Sequence, residues 1–290
     1  MRILLVSADP TEHAVVRIAD AIRANGIECI ILPVSELTFN VSEYIWPVED
    51  WLGSFSFIVF RNLAGPEWSF VRTIRYAMLA ASPQLTKRVL NGESYYKFPV
   101  LFKLVQTVLL RSAGLQAPQS VYMVGQDEFP FGFPCIVKAN YGSCGRDVHL
   151  AKEPSDWHRL CSNYGIGNLI MQEYLPGSHD YRALVIGREV VGLHKRVAPS
   201  GDFRTNYAIG GQLVKAEPEL AEEIKETAIA VARVFRCDFC GVDLRYSAEG
   251  QLNVLEINRS AGFEGMEEVI GIPAGQYISE YIIKMASRPQ

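Results

Sequence analysis

A chain of 290 residues with 49% hydrophobic and 21% charged side chains is long enough for more than one hydrophobic core and has the balance of an ordinary globular protein. Its 28 lysines and arginines against 32 aspartates and glutamates leave a net charge of −4, which argues against a broad nucleic-acid surface. The apolar run at residues 1–7 is too short for a signal peptide, and the stretch 98–110 is broken by Lys103 and Gln106. Neither export nor membrane insertion is expected, which points to the cytoplasm.

The first ninety residues alternate strand and helix. Residues 2–7 read as a buried strand. Residues 12–24 carry Val15, Val16, Ile18, Ala19 and Ile22 at helical spacing, and Gly26 ends that helix before a strand at 28–32. A third strand at 55–60 precedes a helix at 67–80, and this alternation predicts a parallel sheet in an N-terminal α/β domain, residues 1–90. No Gly-x-Gly-x-x-Gly follows the first strand, so a dinucleotide site is not expected there. Trp46, Trp51 and Trp68 read as packing residues, with partner docking as the other reading.

A second region, residues 91–172, opens with a helix predicted at 99–112 and stopped by Gly114 and Pro118. Strands follow at 135–139, 147–151 and 168–172, with a helix at 155–163 before the last. The third region, residues 173–290, holds two strands around Gly187, a polar loop at 198–212, a helix at 218–235, a hairpin at 241–258 and a closing helix at 274–285. The six cysteines are expected as reduced thiols. Cys237 and Cys240 form a single C-x-x-C, which reads as packing at a helix-to-strand junction in preference to a redox or zinc site, because no second pair completes a tetrahedral set.

Three segments carry candidate chemistry. In the hairpin, with Ser247 to Gly250 as the turn and Tyr246 paired with Gln251, Asp243 is predicted opposite Val254. Asp243, Glu256 and Asn258 then share one face. Two carboxylates and an amide are the hard oxygen donors that Mg²⁺ takes while it also holds nucleotide phosphates, although a solvated polar face gives the same pattern. Lys138 stands inside an apolar strand ahead of a loop with Gly142, Ser143 and Gly145. An anionic ligand would satisfy a lysine buried there while the glycines bring backbone N–H groups to phosphate oxygens; the plain alternative is a glycine-rich turn with an outward lysine. The polar loop presents Arg204 and Asn206 between glycines. Arg204 suits a transferring phosphoryl group and Asn206 suits a metal, while a merely solvated loop remains the other reading.

Taken in order, these segments resemble the ATP-grasp superfamily, and within it the RimK-type carboxylate–amine ligases. The resemblance is carried by Lys138 with Gly142-Ser143-x-Gly145, Gln172-Glu173-Tyr174, Asp180-Tyr181-Arg182, the stretch Gly201 to Asn206 with Gly210-Gly211, Gly241-Val242-Asp243-Leu244, and Leu255-Glu256-Ile257-Asn258-x-Ser260-x-Gly262. Each motif is weak alone; the ordered series is specific and covers about residues 90–284. It implies an ATP-grasp fold behind the N-terminal parallel-sheet domain, with ATP between two α+β lobes. Lys103 and Lys138 would contact phosphates, with Lys97 as a neighbour competing for the first role. The backbone at Glu173 and Tyr174 would read adenine, and Asp180 would hold the ribose. Asp243, Glu256 and Asn258 would bind two Mg²⁺ ions, with Mn²⁺ as a substitute, and Arg204 with Asn206 would stabilise an acyl phosphate.

The activity so implied joins a carboxylate to an amine of an amino acid, peptide or protein tail at the expense of ATP, with no covalent enzyme nucleophile. His179 and the cysteines then read as bystanders. Ile209 and Arg259 depart from the family's usual arginine and its usual small or polar residue, which leaves the amine open. Homo-oligomerisation is compatible with this reading. The competing classes are a non-catalytic ATP-binding regulatory or scaffolding protein of the same fold, and a phosphotransferase using a hydroxyl acceptor.

Overall fold

The structure is a computed structural model that describes residues 1–36, 52–63, 68–122, 129–140, 147–207 and 210–288. Strand β1 (Arg2–Ser7) is followed by helix α1 (His13–Ala24), β2 (Glu28–Pro33), β3 (Phe57–Arg61) and α2 (Ser69–Ala81). The three strands form a parallel sheet in the order β2-β1-β3, as the alternating pattern predicts. Val15, Ile18, Ala19 and Ile22 of α1 are fully buried against one face of it. Trp46 and Trp51 lie outside the described residues; Trp68 packs at the edge of the cluster on the other face.

The helix expected at 99–112 starts late, as α4 (Lys103–Ser112), and a short helix that the sequence reading did not assign, α3 (Gly92–Lys97), precedes it. Pro99 explains the break, because its ring disfavours the helical conformation of the residue before it, and Phe98 sits at φ −131° and ψ 77°. A four-stranded antiparallel sheet follows. It comprises β4 (Ser120–Val121), β5 (Cys135–Ala139), β6 (Val148–Ala151) and, after helix α5 (Pro154–Tyr164), β7 (Leu169–Glu173), in the order β4-β7-β5-β6. Trp157, Leu160 and Cys161 of α5 bury against Cys135, Val137, Leu169 and Met171.

The third sheet contains β8 (His179–Ile186), β9 (Glu189–Val197), β10 (Gln212–Lys215) and, after helix α6 (Ala221–Val234), β11 (Phe239–Tyr246) and β12 (Leu252–Asn258). Their order is β10-β9-β8-β11-β12, all antiparallel. Short β10, which the sequence reading merged into the preceding loop, forms the edge. Helix α6 covers one face through Ile224, Ala228 and Val231 against Ala183, Val185, Val242 and Leu244. Helix α7 (Ala274–Ala286) lies on the opposite face and packs against α1, so the last helix returns to the first sheet.

That opposite face is divided along its length. Leu184, Ile186 and Phe239 make its apolar half, covered by Ala261, Phe263, Met266 and α7. Gly241 is required there because a Cβ on it would come within 2.7 Å of the Ala261 methyl. Asp180, Arg182, His194, Arg196 and Asp243 occupy the other half, where Asp180, Arg196 and Asp243 border a cavity shared with the four-stranded sheet and Arg182 and His194 line a neighbouring cavity beside Glu12 and Asn62.

Asn91 joins the N-terminal segment to this sheet. Its backbone is left-handed at φ 61° and its side chain is fully enclosed. Its Nδ2 donates to the Phe239 carbonyl at 2.8 Å and the Arg259 carbonyl at 3.1 Å, while its Oδ1 accepts from the N–H groups of Asp238 at 2.7 Å and Phe239 at 2.9 Å. Truncation strands several buried backbone groups at about 1–3 kcal/mol each. Asn91→Ala is therefore expected to lower unfolding free energy by about 3 kcal/mol or more in chemical denaturation. A loss under about 1 kcal/mol would show that the clamp is not structural.

Candidate functional site

The charged half of the sheet is organised around Arg182 and Arg196. Register places Arg182 between Asp243 on β11 and His194 on β9, with Asp180 opposite Arg196. Arg182 donates to both Asp243 oxygens, from Nε at 2.7 Å and Nη2 at 2.8 Å. Arg196 does the same to Asp180, at 2.7 Å from each nitrogen, and its Nη2 also lies 3.0 Å from Asp243 Oδ2. Burial alone would raise the Asp243 carboxyl, but Arg182 and Arg196 outweigh it and hold it well below the usual carboxylate range. Burial would likewise lower Arg196, and the two aspartates reverse that. His194, with Nδ1 unpartnered, is pushed down to about 3 by burial first and then by the two arginines, so it is neutral at physiological pH.

Strand β12 brings in the remaining oxygen donors, through a register that differs from the expected one. Asp243 lies opposite Glu256, not Val254, and Tyr246 pairs with Leu252, not Gln251; the ladder slips between Asp243 and Leu244, where Leu255 is the extra residue. The bulge has a consequence that regular alternation cannot supply. Leu252 and Val254 point into the core under α6, and beyond the bulge the parity switches so that Ile257 continues that core. Glu256 and Asn258 are thereby released to the Asp243 face. The expected grouping of Asp243, Glu256 and Asn258 is present, by a different route.

Two lysines reach the same place from other elements. Lys103, the first residue of α4, puts Nζ 2.8 Å from Glu256 Oε1. Lys97 instead lies over the Phe98 ring, so the nearer competitor for this position is excluded by geometry. Helix α4 is held to both sheets: the Lys103 N–H donates to the Asn140 carbonyl at 2.8 Å, and Gln106 Oε1 accepts the Ile257 N–H at 2.9 Å. Lys138, on β5, is 6% exposed and donates to Gln172 Oε1 at 2.8 Å. Burial first, and then the charge of Lys103, push it down to about 7, with Glu256 opposing. A buried ammonium answered by one neutral amide is a cation set up for an anionic ligand.

The remaining predicted residues line a cavity of about 120 Å³ between the two antiparallel sheets. Glu173, Tyr174, Asp180, Arg204, Asn206, Asp243, Glu256 and Lys138 all border it. Asp180 accepts two bonds from Arg196 and one from Thr205 Oγ1 at 2.5 Å, leaving one of a carboxylate's roughly four lone-pair directions open. Arg204 is folded onto Asp202, with Nη2 2.8 Å from Oδ2, and is not extended into the cavity. Asn206 lines both this cavity and a neighbouring one. Asn258 borders that neighbour and accepts the Ser260 N–H at 3.0 Å. Gly142, Ser143 and Gly145 lie outside the described residues, as does Ile209. The C-x-x-C thiols are buried beside Ser94 and the Phe235 carbonyl, and no group of three or more His, Cys, Asp or Glu side chains fit for a metal occurs among the described residues.

The donor set of Asp243, Glu256 and Asn258 nevertheless fits a hard divalent cation. Glu256 Oε2 accepts no bond from the described residues, the Asn258 amide offers a neutral oxygen, and Asp243 accepts three bonds from arginines with one direction left. Arg182, Arg196, His194, Gln172 and Gln106 were not singled out from sequence for a role at the site. A signal was present: Asp180 with Arg182, and His194 with Arg196, are charged or titratable i,i+2 pairs in otherwise apolar strands, which marks a polar sheet face.

The RimK-like ATP-grasp domain matches residues 104–282, and the chain belongs to that family. A probable alpha-L-glutamate ligase of Stenotrophomonas maltophilia (strain R551-3) is 35% identical over 193 residues, covering 63% of this chain and 65% of the relative. The N-acetylaspartylglutamate synthase A of Mus musculus is 29% identical over 193 residues, covering 62% and 50%. The chain thus matches less than two thirds of the length of these curated relatives. The ATP-grasp ligase PsnB complexed with a minimal precursor superimposes with a TM-score of 0.72 over 98% of this chain and 99% of that one, at 21% identity, so the fold is ATP-grasp. No helix among the described residues is long and apolar enough to cross a membrane.

Because His194 is held below its unfolded value of about 6.5, the folded state binds fewer protons than the unfolded state between that pH and about 3. Its contribution to stability is present above about pH 6.5 and is lost as pH falls. His194→Gln is expected to lose less stability than the parent between about pH 6.5 and 4 in denaturant titrations. Equal losses would mean that His194 ionises normally.

Proposed function

We propose that the chain is an ATP-dependent carboxylate–amine ligase acting on an amino acid, peptide or protein tail. One observation carries the reading most directly: buried Lys138 and the pair Lys103–Glu256 meet Asp243 in one cleft, with Asn258 bordering the next cavity. Anion-holding cations thus stand next to cation-holding oxygens, which is the arrangement an Mg²⁺-bound triphosphate requires.

In this reading the adenine lies along the backbone at Glu173 and Tyr174, and a ribose hydroxyl takes the remaining direction of Asp180. Lys103 and Lys138 hold phosphate oxygens, with Gly142, Ser143 and Gly145 supplying N–H groups. Asp243, Glu256 and Asn258 would hold two Mg²⁺ ions, which would supply positive charge to the transferring phosphoryl group. A substrate carboxylate oxygen attacks the γ-phosphorus, the bond to the β-phosphate oxygen breaks, and ADP leaves. Arg204, released from Asp202, braces the resulting acyl phosphate with Asn206. An amine then attacks the acyl carbon, phosphate departs, and the nitrogen loses a proton to give the amide. Lobes at 91–172 and 173–290 would flank the nucleotide, with residues 1–90 shaping the substrate side. The decisive experiment incubates the protein with ATP, Mg²⁺ and pools of amino acids and peptides. ADP release that depends on both a carboxylate and an amine, with a product mass equal to condensation, is expected; release that no acceptor stimulates would refute the ligase reading.

Glu256→Gln keeps the side chain's shape while removing its charge. Its turnover is expected to fall at least about a hundredfold, near 3 kcal/mol of barrier, with the far-ultraviolet circular dichroism unchanged. Near-parental ADP release from this variant would remove Glu256 from the metal site.

Lys138 supplies a pH test. With its value near 7 in the free protein, nucleotide binding above that pH must draw a proton onto it. Affinity should fall as pH rises from about 7 to 9, by up to about tenfold per unit, and carry no dependence on this group at lower pH. Titration calorimetry at pH 8 in buffers of different ionisation enthalpy should read uptake of about one proton. Lys138→Met should abolish that uptake, and an unchanged value would assign the proton elsewhere.

A further inference from the structure

A second cavity, of about 110 Å³, opens beside Glu256 and Asn258. It shares Glu256 with the nucleotide cleft but none of Lys138, Tyr174, Asp180 or Arg204. Three arginines line it: Arg72 and Arg75 from helix α2, and Arg259 just after β12. Glu256 is the one carboxylate among the described lining residues, and it already pairs with Lys103. Arg72 Nη1 donates to the Leu63 carbonyl at 2.5 Å, and Arg259 Nη1 to the carbonyls of Phe98 at 2.6 Å and Ser94 at 3.1 Å, so both neighbours are fixed by backbone. Arg75 is placed differently. It is 4% exposed, its Nε is buried without an acceptor, and it donates no hydrogen bond to any described residue. Its guanidinium carbon sits 3.4 Å from the Tyr95 ring centroid and 5.7 Å from that of Phe60. Those rings favour a cation but accept none of its in-plane N–H bonds. Burial pushes Arg75 down to about 9; Tyr95 opposes, and the charges of Arg259 and Arg72 add to the fall.

A buried guanidinium answered only by aromatic rings, with two more cations on the same cavity, is unfavourable until an anion completes it. Charge selects the kind of anion. One carboxylate would leave most of the positive charge standing. A phosphate group carries about −1.5 to −2 at neutral pH and offers acceptor oxygens in several directions, which suits guanidinium groups arriving from two separate elements. We propose that this cavity is a phosphate-binding site separate from the nucleotide cleft, with Arg75 as its principal donor and Arg72 and Arg259 beside it. Its position supplies a source. Under the ligase reading, orthophosphate is released beside Glu256 and Asn258, and both residues also border this cavity. The cavity can then take the released phosphate while ADP still fills the nucleotide cleft. A phosphate monoester carried by a substrate presents the same chemistry. Arg72 and Arg75 lie outside the matched residues 104–282, so the site is built in part by the N-terminal segment and not by the family domain alone. Only the source rests on the ligase reading; the binding site itself does not.

The test saturates the full chain with a non-hydrolysable ATP analogue and Mg²⁺, which fills the nucleotide cleft, and titrates it calorimetrically with inorganic phosphate, methyl phosphate and acetate. Inorganic phosphate is expected to bind at about one site per chain and at least about tenfold more tightly than acetate. Arg75→Met should weaken phosphate binding by about tenfold or more, while the analogue's dissociation constant stays within about threefold. Arg75→Lys, which keeps the charge but loses the fork, should retain part of the affinity and covers the case in which the methionine variant does not fold. Methyl phosphate binding as tightly as inorganic phosphate would support the site and assign it to a monoester on a substrate. Binding of inorganic phosphate alone would support it as a seat for the released product. The proposal is overturned if phosphate binds no better than acetate, or if both Arg75 variants bind phosphate as the parent does. Failure of the parent to bind the analogue would sink the ligase reading instead, and the same phosphate titrations on the nucleotide-free parent and Arg75 variants would still decide this site.

Discussion

The site depends on the shared grip of Arg182 and Arg196 on Asp180 and Asp243. Four ionised groups leave water together, and each arginine answers carboxylates through a fork geometry that a lysine could not reproduce. Such a cluster is costly to desolvate, and breaking any member would leave a buried charge without its counterpart. It therefore holds strands β8, β9 and β11 to one register at the end where the cleft opens. The opposite end of the same face is apolar and packed under α7, so the sheet is anchored by hydrophobic burial at one end and by charge pairing at the other.

Around that cluster, groups of both signs stand close together. Lys138 and Lys103 supply positive charge from β5 and α4; Glu256 and Asn258 supply oxygen from β12. Helix α4 connects them physically, because Asn140 ties its first turn to the central sheet and Gln106 ties its middle to β12. The Lys103–Glu256 pair thus joins α4 to β12. Arg204 folds onto Asp202 and Lys138 rests on Gln172, so both cations have local partners.

Much of this was legible in the primary structure. Periodic apolar residues located β1, α1, β2, β3, α6 and α7 to within a few positions, because those elements bury a continuous stripe or run. The ordered motifs placed Lys138, Asp180, Arg204, Asp243, Glu256 and Asn258 in one family pattern, and the structure gathers all but Asn258 around a common cleft, with Asn258 at the neighbouring cavity. Reading failed where a local rule was overridden. The helix expected from Pro99 begins only at Lys103, and Leu255 bulged out of a strand that strict alternation had kept regular.

The sequence by itself determined the sheet classes, the ATP-grasp pattern and the identity of the oxygen and lysine groups, since these follow from periodicity and from motifs contiguous in the chain. Only the tertiary structure decided which charges answer one another: that Asp243 is enclosed by Arg182 and Arg196, and that Lys103 and not Lys97 reaches Glu256. Those pairings join residues up to 153 positions apart, as with Lys103 and Glu256. Electrostatic partnership depends on distance and burial in space, and neither quantity is written in the order of the residues.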